Sequence, residues 1–529
     1  MTKVTIIGSG PAAAAAALAL TRTASCEIEI LDIGERLEPE REAVLREVRH
    51  LDPAGWPAPA RRLLSVHPTA ENEGELPEKR VFGSDFPFRD AGQLVGLSVA
   101  AGGNARSVSG AFGGFSNVWG AQVMPFSRAT LDEWAGGYEA LLPHYRAVLE
   151  HIPFAGVDDD YSDLFPLLAR ADPLPTLAPP AAATLRRYDE RRSTVRARGV
   201  TVGQARLAIR ARDCVECGLC LTGCPHSLIW ASTKTLEPLI QKGAVSYRSG
   251  LLVLRVGEDE DGCWIEARDG EGRLQTIRSD RILLACGGLG TTRLVLASLR
   301  RRVAGATLHE SVQFVLPFVS ARPYPDPRSY LTFTLNQFNI LVEYGRPGLD
   351  LAQVHLYPYN PGYEQALPGP VKRREFPRRQ ILQRVLAGLG YLPSWASPSV
   401  RVKVGEMHDG ELLPVELSVI PQPATRRVLT RVLARLFFVA PALDLWPAVP
   451  ALRLSGPGKS YHFGGSFPHV AGKPRADRLE TDMLGRPAEW TRVHLIDASV
   501  FSSIAATTFT LTVMANAHRI ATLVARELS

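Results

Sequence analysis

Apolar residues first gather at 4–7 (VTII), then at 27–32 (EIEILD), where they alternate with acidic ones. Between them runs GSGPAAAAAALALT, whose alanines favour a helix and let it lie close on a sheet. The pattern therefore predicts strand, helix, strand, a βαβ unit. Residues 36–80 are charged and Pro-containing, with no clear period. A Gly/Ser loop is expected at 102–120, helices at 131–152 and about 182–199, and a linker-like break at 173–181. Residues 245–285 alternate like an antiparallel meander and end in the apolar strand RILLAC, after which GGLGTTRLVLAS opens a helix. The stretch 306–455 is rich in aromatics and Pro, with strand-like pieces, and reads as a second, ligand-facing lobe. The chain ends in VHLIDAS, a polar turn and the helical TLTVMANAHRIATLVARE, and no internal repeat is visible. An α/β fold follows, a Rossmann-like domain with an α+β domain carrying an antiparallel sheet.

Composition narrows the classes. With 529 residues, 45% hydrophobic and 22% charged, the chain can bury a large core and is neither disordered nor disulfide-dense. A net charge of +6 is mild for this length and gives no reason to expect a nucleic-acid partner. No apolar run is long enough to span a bilayer and no signal peptide precedes the first strand, so the cytoplasm is the expected compartment, with export alongside a signal-bearing partner left open.

Gly8-Ser9-Gly10-Pro11-Ala12-Ala13 is GxGxxA between strand and helix. Its glycines allow a tight turn and bring backbone N–H groups to a pyrophosphate at the helix N-terminus. Asp32, at the end of the second strand, stands where a ribose hydroxyl would be bound. This motif alone does not separate FAD from NAD.

Four of the seven cysteines form Cys214-x2-Cys217-x2-Cys220-x3-Cys224-Pro225, the spacing of a bacterial ferredoxin run. Such a loop can curl around an iron–sulfur cluster, 4Fe-4S if all four thiolates ligate and 3Fe-4S otherwise. Zinc and metal-free thiols are the other readings. Cys26, Cys263 and Cys286 read as buried small hydrophobes.

Several further blocks resemble the glucose–methanol–choline (GMC) oxidoreductase family. They are GGFSNVWG (113–120), the Trp134/Tyr138/Leu141/Pro143/Tyr145 pattern, residues 281–298, SYHFGGSFPH (460–469) and HLIDASVFSSIAATTFTLTVMA (494–515), in the family's order. The resemblance implies an FAD domain assembled from 1–35, 80–155, 205–305 and 456–529, and a substrate or cap domain from 36–79, 156–204 and 306–455. It implies non-covalent FAD, because Val118 stands where some relatives carry the flavin-linked His. Gly113, Gly114, Ser116 and Asn117 would lie along the flavin, and Leu252 or Val253 near the adenine. Gly8, Gly10, Ala13, Asp32 and Gly287 would line the dinucleotide, with Asp497, Ala498 and Thr510 toward the ribityl–pyrophosphate and flavin. His462 matches the family's catalytic His, the base that takes the hydroxyl proton as hydride passes to flavin. Thr508 occupies the position where relatives carry Asn or His. It can donate a hydrogen bond and cannot serve as a second base, a departure that puts the usual pair in doubt.

FAD-dependent glucose and fructose dehydrogenases of this superfamily carry a C-x5-C-x3-C-P loop with a three-iron cluster, which Cys214, Cys220 and Cys224 match. Cholesterol oxidases have similar loops without one. The expected activity is an FAD-dependent dehydrogenase acting on the CH–OH of a sugar, polyol or other alcohol, with electrons leaving through the cluster to an external acceptor. The alternatives are an oxidase or redox-neutral flavoenzyme with metal-free thiols, or an electron carrier serving a partner enzyme. Two Arg-bearing amphipathic stretches remain, QILQRVLAGLGYL with its basic lead-in from Lys372 to Arg379, and Arg426–Phe438. Either could dock on an anionic membrane or an acidic partner, though a charged helical face is more often simply solvated.

Overall fold

The computed structural model describes residues 1–23, 25–64, 80–97, 108–300, 303–367, 369–405, 412, 414–456 and 458–528. The first part of the expected Gly/Ser loop (102–107) and the latter part of the charged stretch (65–79) lie outside the described residues.

The βαβ unit forms as its pattern predicts. β1 (Lys3–Ile7) and β2 (Glu27–Leu31) pair in parallel and are joined by α1 (Pro11–Thr23). Ala12 through Ala17 are all buried, and the small side chains let α1 pack against the C-terminal helix α6 (Thr510–Leu528). β4 (Ser246–Arg248) adds to β2 on one side, and β8 (Arg281–Leu284) and β19 (Val493–Leu495) add beyond β1 on the other. The order is β19-β8-β1-β2-β4, every pair parallel, so distant parts of the chain build one sheet. The expected meander at 245–285 is shorter than its pattern suggests. Only β5 (Leu251–Asp259), β6 (Gly262–Asp269) and β7 (Leu274–Ser279) form the antiparallel sheet.

The second lobe rests on a large sheet, ordered β16-β10-β13-β12-β11-β3. Its strands are β3 (Val200–Gln204), β10 (Gln313–Val319), β11 (Phe338–Glu343), β12 (Leu351–Tyr357), β13 (Val385–Tyr391) and β16 (Trp446–Pro447), with β17 (Arg453–Leu454) also on β10. One face is apolar: Val200, Val202, Phe314, Phe338, Ile340, Val354 and Leu356 pack against α5 (Ala424–Leu443) and α3 (Pro179–Glu190). α5 presents Val428, Leu429, Val432, Leu436, Val439 and Leu443 to it. At about 2 kcal/mol per buried aliphatic side chain, these six stabilise the lobe by on the order of 12 kcal/mol before entropy is counted. A four-stranded sheet, β15 (Val415–Ile420), β14 (Ser399–Val404), β9 (Ala306–Glu310) and β18 (Phe463–Gly464), ties the lobe to the loop bearing His462.

The two Arg-bearing stretches part company. Residues 426–438 lie within α5, as their period predicts. QILQRVLAGLGYL does not stay helical: a helix at Glu375–Leu382 stops, and the rest becomes the inner strand β13. Among the described residues no helix is long and apolar enough to cross a membrane.

Candidate active site

β1 ends at Ile7, and the chain turns at Gly8 (φ 99°), where a Cβ would stand 2.7 Å from the Ala285 carbonyl oxygen at the end of β8. No atom lies within 4 Å of a Cβ built on Gly10, or on Gly287 at the start of α4 (Gly287–Ser298). Two helices thus open onto free space, their first-turn N–H groups lacking intrahelical partners and favouring negative charge. The turn at Gly113–Asn117 closes over this space, and a Cβ on Gly114 would stand 3.5 Å from the Gly10 Cα. Gly113 N–H donates to Ser9 Oγ at 2.9 Å, and the Ser9 hydroxyl donates to Asp32. Asp32 Oδ2 also accepts from the Tyr247 hydroxyl at 3.1 Å, and Oδ1 from Ile33 N–H at 3.0 Å. Burial pushes its carboxyl up to about 7 in spite of these donors. Leu251 N–H donates to the Asp32 carbonyl at 3.0 Å, so Leu252 and Val253 lead away from this corner along β5.

Ala13 packs fully buried on the sheet. The other expected cofactor residues are partly committed to the protein itself. Ser116 Oγ donates to the Gly113 carbonyl and accepts from Ser232 N–H at 2.9 Å, while Asn117 Nδ2 donates to the carbonyls of Phe112 and Gly114 at 3.0 and 2.8 Å. Asp497 caps a short turn beginning at Ala498: Oδ1 accepts from Ser499 N–H at 2.9 Å and Oδ2 from the Thr291 hydroxyl. Its carboxylate orders the loop between β19 and α6, which Thr510 opens. The open glycine cradle, the two helix ends and an acid with hydroxyl partners fit a dinucleotide cofactor.

His462 sits just before β18, stacked on Tyr391 (centroids 4.6 Å, planes 18° apart) and against Phe509 (4.8 Å). Its Nδ1 is buried without a hydrogen-bond partner, as are the hydroxyls of Thr507 and Thr508 in the loop leading into α6. Burial lowers the His462 pKa to about 4, so the ring is neutral at physiological pH. The loop is anchored by Glu310 on β9, whose Oε2 accepts from Gly458 N–H at 2.9 Å and the Ser460 hydroxyl at 3.2 Å. Ser460 Oγ in turn accepts from His462 N–H at 3.3 Å.

Sequence reasoning missed the polar face of the large sheet. On the side opposite the apolar core stand Asn339, Gln353, His355 and Tyr391, with Asn339 level with His355 and Gln353 level with Tyr391. His355 lies 5.2 Å from Tyr391 by ring centroids, and Gln122 Nε2 reaches its Nε2 at 3.3 Å. Burial, then the charge of His462, lowers the His355 pKa to about 3. Polar residues at every second position of 351–357 (Gln353, His355, Tyr357) were the available signal.

The cysteine loop packs beside Phe333 and Leu335. Backbone N–H groups of Glu216, Thr334 and Leu228 donate to the Sγ atoms of Cys214, Cys220 and Cys224, each at 3.4 Å. Burial pushes the Cys214 thiol up to about 11 and Cys217 to about 12, with the neighbouring thiols adding to each shift. Yet among the described residues no three His, Cys, Asp or Glu side chains are grouped to hold a metal ion, so the expected ligand set is not assembled as such. Of the remaining cysteines, Cys263 is buried as expected, whereas Cys26 and Cys286 are only partly so. Asn516 is buried against His469 and Arg519, and His518 meets His144 ring to ring, their Nδ1 atoms 2.8 Å apart.

The fold is shared with flavoenzymes of known structure. Pyridoxine 4-oxidase from Mesorbium loti is 14% identical, with a TM-score of 0.58 over 98% of each chain. An FAD-dependent oxidoreductase from Chaetomium thermophilum, solved with a bound fragment, is 12% identical, with a TM-score of 0.60 over 100% of this chain and 99% of the other. At these identities the likeness is one of fold. No protein-family model matches the sequence, and no curated protein is similar to it.

Proposed function

We propose that the protein is an FAD-dependent oxidoreductase that oxidises a CH–OH group to a carbonyl. The observation that carries this reading is the neutral His462, its Nδ1 buried and unpaired and its ring against Phe509, which directly follows Thr507 and Thr508 with their unpaired hydroxyls, in a chain whose Gly8–Gly10 cradle fits a dinucleotide. Oxidation removes hydride from carbon and a proton from oxygen. FAD, when bound, supplies the hydride acceptor. His462 Nδ1 takes the proton, and the two Thr hydroxyls orient the substrate oxygen. Tyr391 and Phe509 hold the ring in place and keep water from it.

The test is anaerobic mixing of the FAD-loaded protein with sugars, polyols and simple alcohols, following loss of flavin absorbance. His462→Gln should keep its FAD and lose bleaching by at least about 100-fold. An equally fast His462→Gln would exclude it as the base. One structural neighbour is named an oxidase, so oxygen is the first electron acceptor to try, with peroxide as the readout.

A second reading concerns the electron exit. Three backbone N–H groups donate to the sulfurs of Cys214, Cys220 and Cys224, a feature that tunes the potential of an iron–sulfur cluster where one is bound, and with the ferredoxin-like spacing it supports a cluster held by these three, with Cys217 as the fourth ligand of a 4Fe-4S form. Anaerobically purified protein with three or four iron and as many acid-labile sulfides per FAD would support it. Full flavin without iron would leave the loop structural.

A further inference from the structure

The helix that covers the apolar side of the large sheet has an outer face that its packing does not explain. At about 100° per residue, every exposed position of α5 falls within an arc of about 140°, opposite the residues that meet the sheet. Arg427, Arg431 and Phe438 share one row of this arc, and Arg426 and Phe437 share the next. Phe437 is 44% exposed and Phe438 66%. Just before the helix, at the end of the edge strand β15, Val419 and Ile420 are 49% and 40% exposed. Bulky apolar groups therefore flank the arginines on both sides, the phenylalanines standing about 16 Å along the helix from Arg427. Exposed apolar residues scattered singly need no explanation, but grouped around charge of one sign they mark a contact surface.

The charge here is of one sign. From 417 to 443 the chain has four arginines and no Asp, Glu or Lys. Arg435 is used within the protein, donating to the Arg198 carbonyl at 2.8 Å. Asp444, which ends the helix, is also engaged, accepting from the Ser320 hydroxyl at 2.8 Å and pairing with Arg187 at 3.5 Å. Arg426, Arg427 and Arg431 make no ion pair with a described residue. Each offers a planar fork that matches the oxygens of a phosphate. A further cation, the Arg198 guanidinium, lies 5.5 Å from the centre of the Phe438 ring.

The outer side of a helix is convex, and its apolar groups here are spread along it rather than gathered into a groove. What meets all of them together is a broad surface, anionic at its top and apolar just beneath. We propose that the outer face of α5, with the end of β15, docks the protein on an anionic lipid bilayer. Arg426, Arg427 and Arg431 take headgroup phosphates, and Val419, Ile420, Phe437 and Phe438 reach the acyl boundary. Attachment of this kind is peripheral and needs no crossing helix. His355 and Tyr391 stand on the opposite side of the large sheet, so the docked protein keeps its candidate active site away from the lipid.

The test is sedimentation of the purified full-length protein with vesicles of phosphatidylcholine, made with and without phosphatidylglycerol. Partitioning should be on the order of 100-fold stronger on the phosphatidylglycerol vesicles, about fivefold for each unpaired arginine, and should weaken as salt is added. The triple variant Arg426→Gln/Arg427→Gln/Arg431→Gln should lose that preference. Phe437→Gln/Phe438→Gln should bind the anionic vesicles about tenfold more weakly or worse. Both variants should keep the flavin content and melting temperature of the wild type, because the replaced side chains face outward.

Equal partitioning of the wild type on the two kinds of vesicle overturns the proposal, as does an arginine variant that keeps the preference. A phenylalanine variant that binds as tightly as the wild type also overturns it, since charge alone then holds the protein. Retention on immobilised poly-glutamate without binding to either vesicle does the same, and assigns the face to an acidic protein partner. Vesicle binding is read without substrate, so its failure leaves the oxidoreductase reading untouched.

Discussion

Glu310 offers a quantitative test of how the His462 loop is held. It is 0% exposed, accepts two hydrogen bonds at Oε2, and has no partner at Oε1. Burial raises its carboxyl from 4.5 to about 7. A shift of this size corresponds to about 3 kcal/mol between the protonated and ionised forms in the folded protein. The sign follows from linkage. Below about pH 4.5 the group is protonated whether folded or unfolded, and it costs nothing. As pH rises to about 7 the unfolded chain ionises first, so stability falls by about 3 kcal/mol and then stays level. Glu310→Gln keeps an acceptor for Gly458 N–H and the Ser460 hydroxyl but carries no charge. For a chain of this length the unfolding entropy is roughly 1 kcal/mol per degree, so the variant should melt about 3 °C above the wild type at pH 8 and with it at pH 4.5. Thermal melts of both proteins between pH 4.5 and 8 measure the difference directly, because the other titrating groups are common to both. Parallel curves, or a variant that melts lower at pH 8, would show that Oε1 has a charged or donating partner and would refute the argument.

The other predictions turn on the two halves of the site. Gly10→Val should fold, since a Cβ there meets nothing in the chain, yet purify without flavin because the side chain fills the cofactor cradle; the ratio of flavin to protein absorbance checks this. Gly8→Ala should instead destabilise the fold itself, through its φ of 99° and the contact with the Ala285 carbonyl, and lower the melting temperature even when FAD is in excess. With the His462 pKa lowered to about 4, its base form is lost only as pH falls through that value; flavin reduction by substrate should therefore show no His462 limb between pH 6 and 8, as a pH–rate profile will test.

The elements legible in the sequence are those whose local pattern and tertiary role agree. VTII, the Ala run and EIEILD formed β1, α1 and β2 where expected, and Gly8, Gly10 and Asp32 came together, because a parallel strand buried on both faces and a helix of small residues have no other good use. α5 was legible for the same reason, its arginines on one face and its aliphatic residues on the other. QILQRVLAGLGYL was not. Its apolar residues suit a helix face, but Gly388 and Gly390 leave room for the rings of Phe318 and Phe314 on β10, and that packing makes the segment a strand. Nor could the sequence show that the Asn117 amide and the Asp497 carboxylate are committed to their own loops, since those bonds depend on the backbone conformation each loop adopts in the fold.

The departure at position 508 takes on a different meaning beside the sheet. Read along the chain, Thr508 removes a protonatable group from the loop before α6 and leaves His462 without a companion. In the folded protein a second imidazole, His355, stands across Tyr391 from His462, close enough that the charge of His462 would lower its pKa. Both rings are neutral, because burial disfavours the charged form of each, with repulsion from His462 adding a smaller share at His355. An imidazole thus stands on β12, within a segment whose alternate residues Val354 and Leu356 pack in the apolar core. A group held by a sheet has less freedom than one on a loop. The site thus combines one imidazole on a loop anchored through Glu310 with another fixed by strand register, and what distinguishes them chemically is the polar contact each makes: Gln122 at His355, and an unpaired Nδ1 at His462.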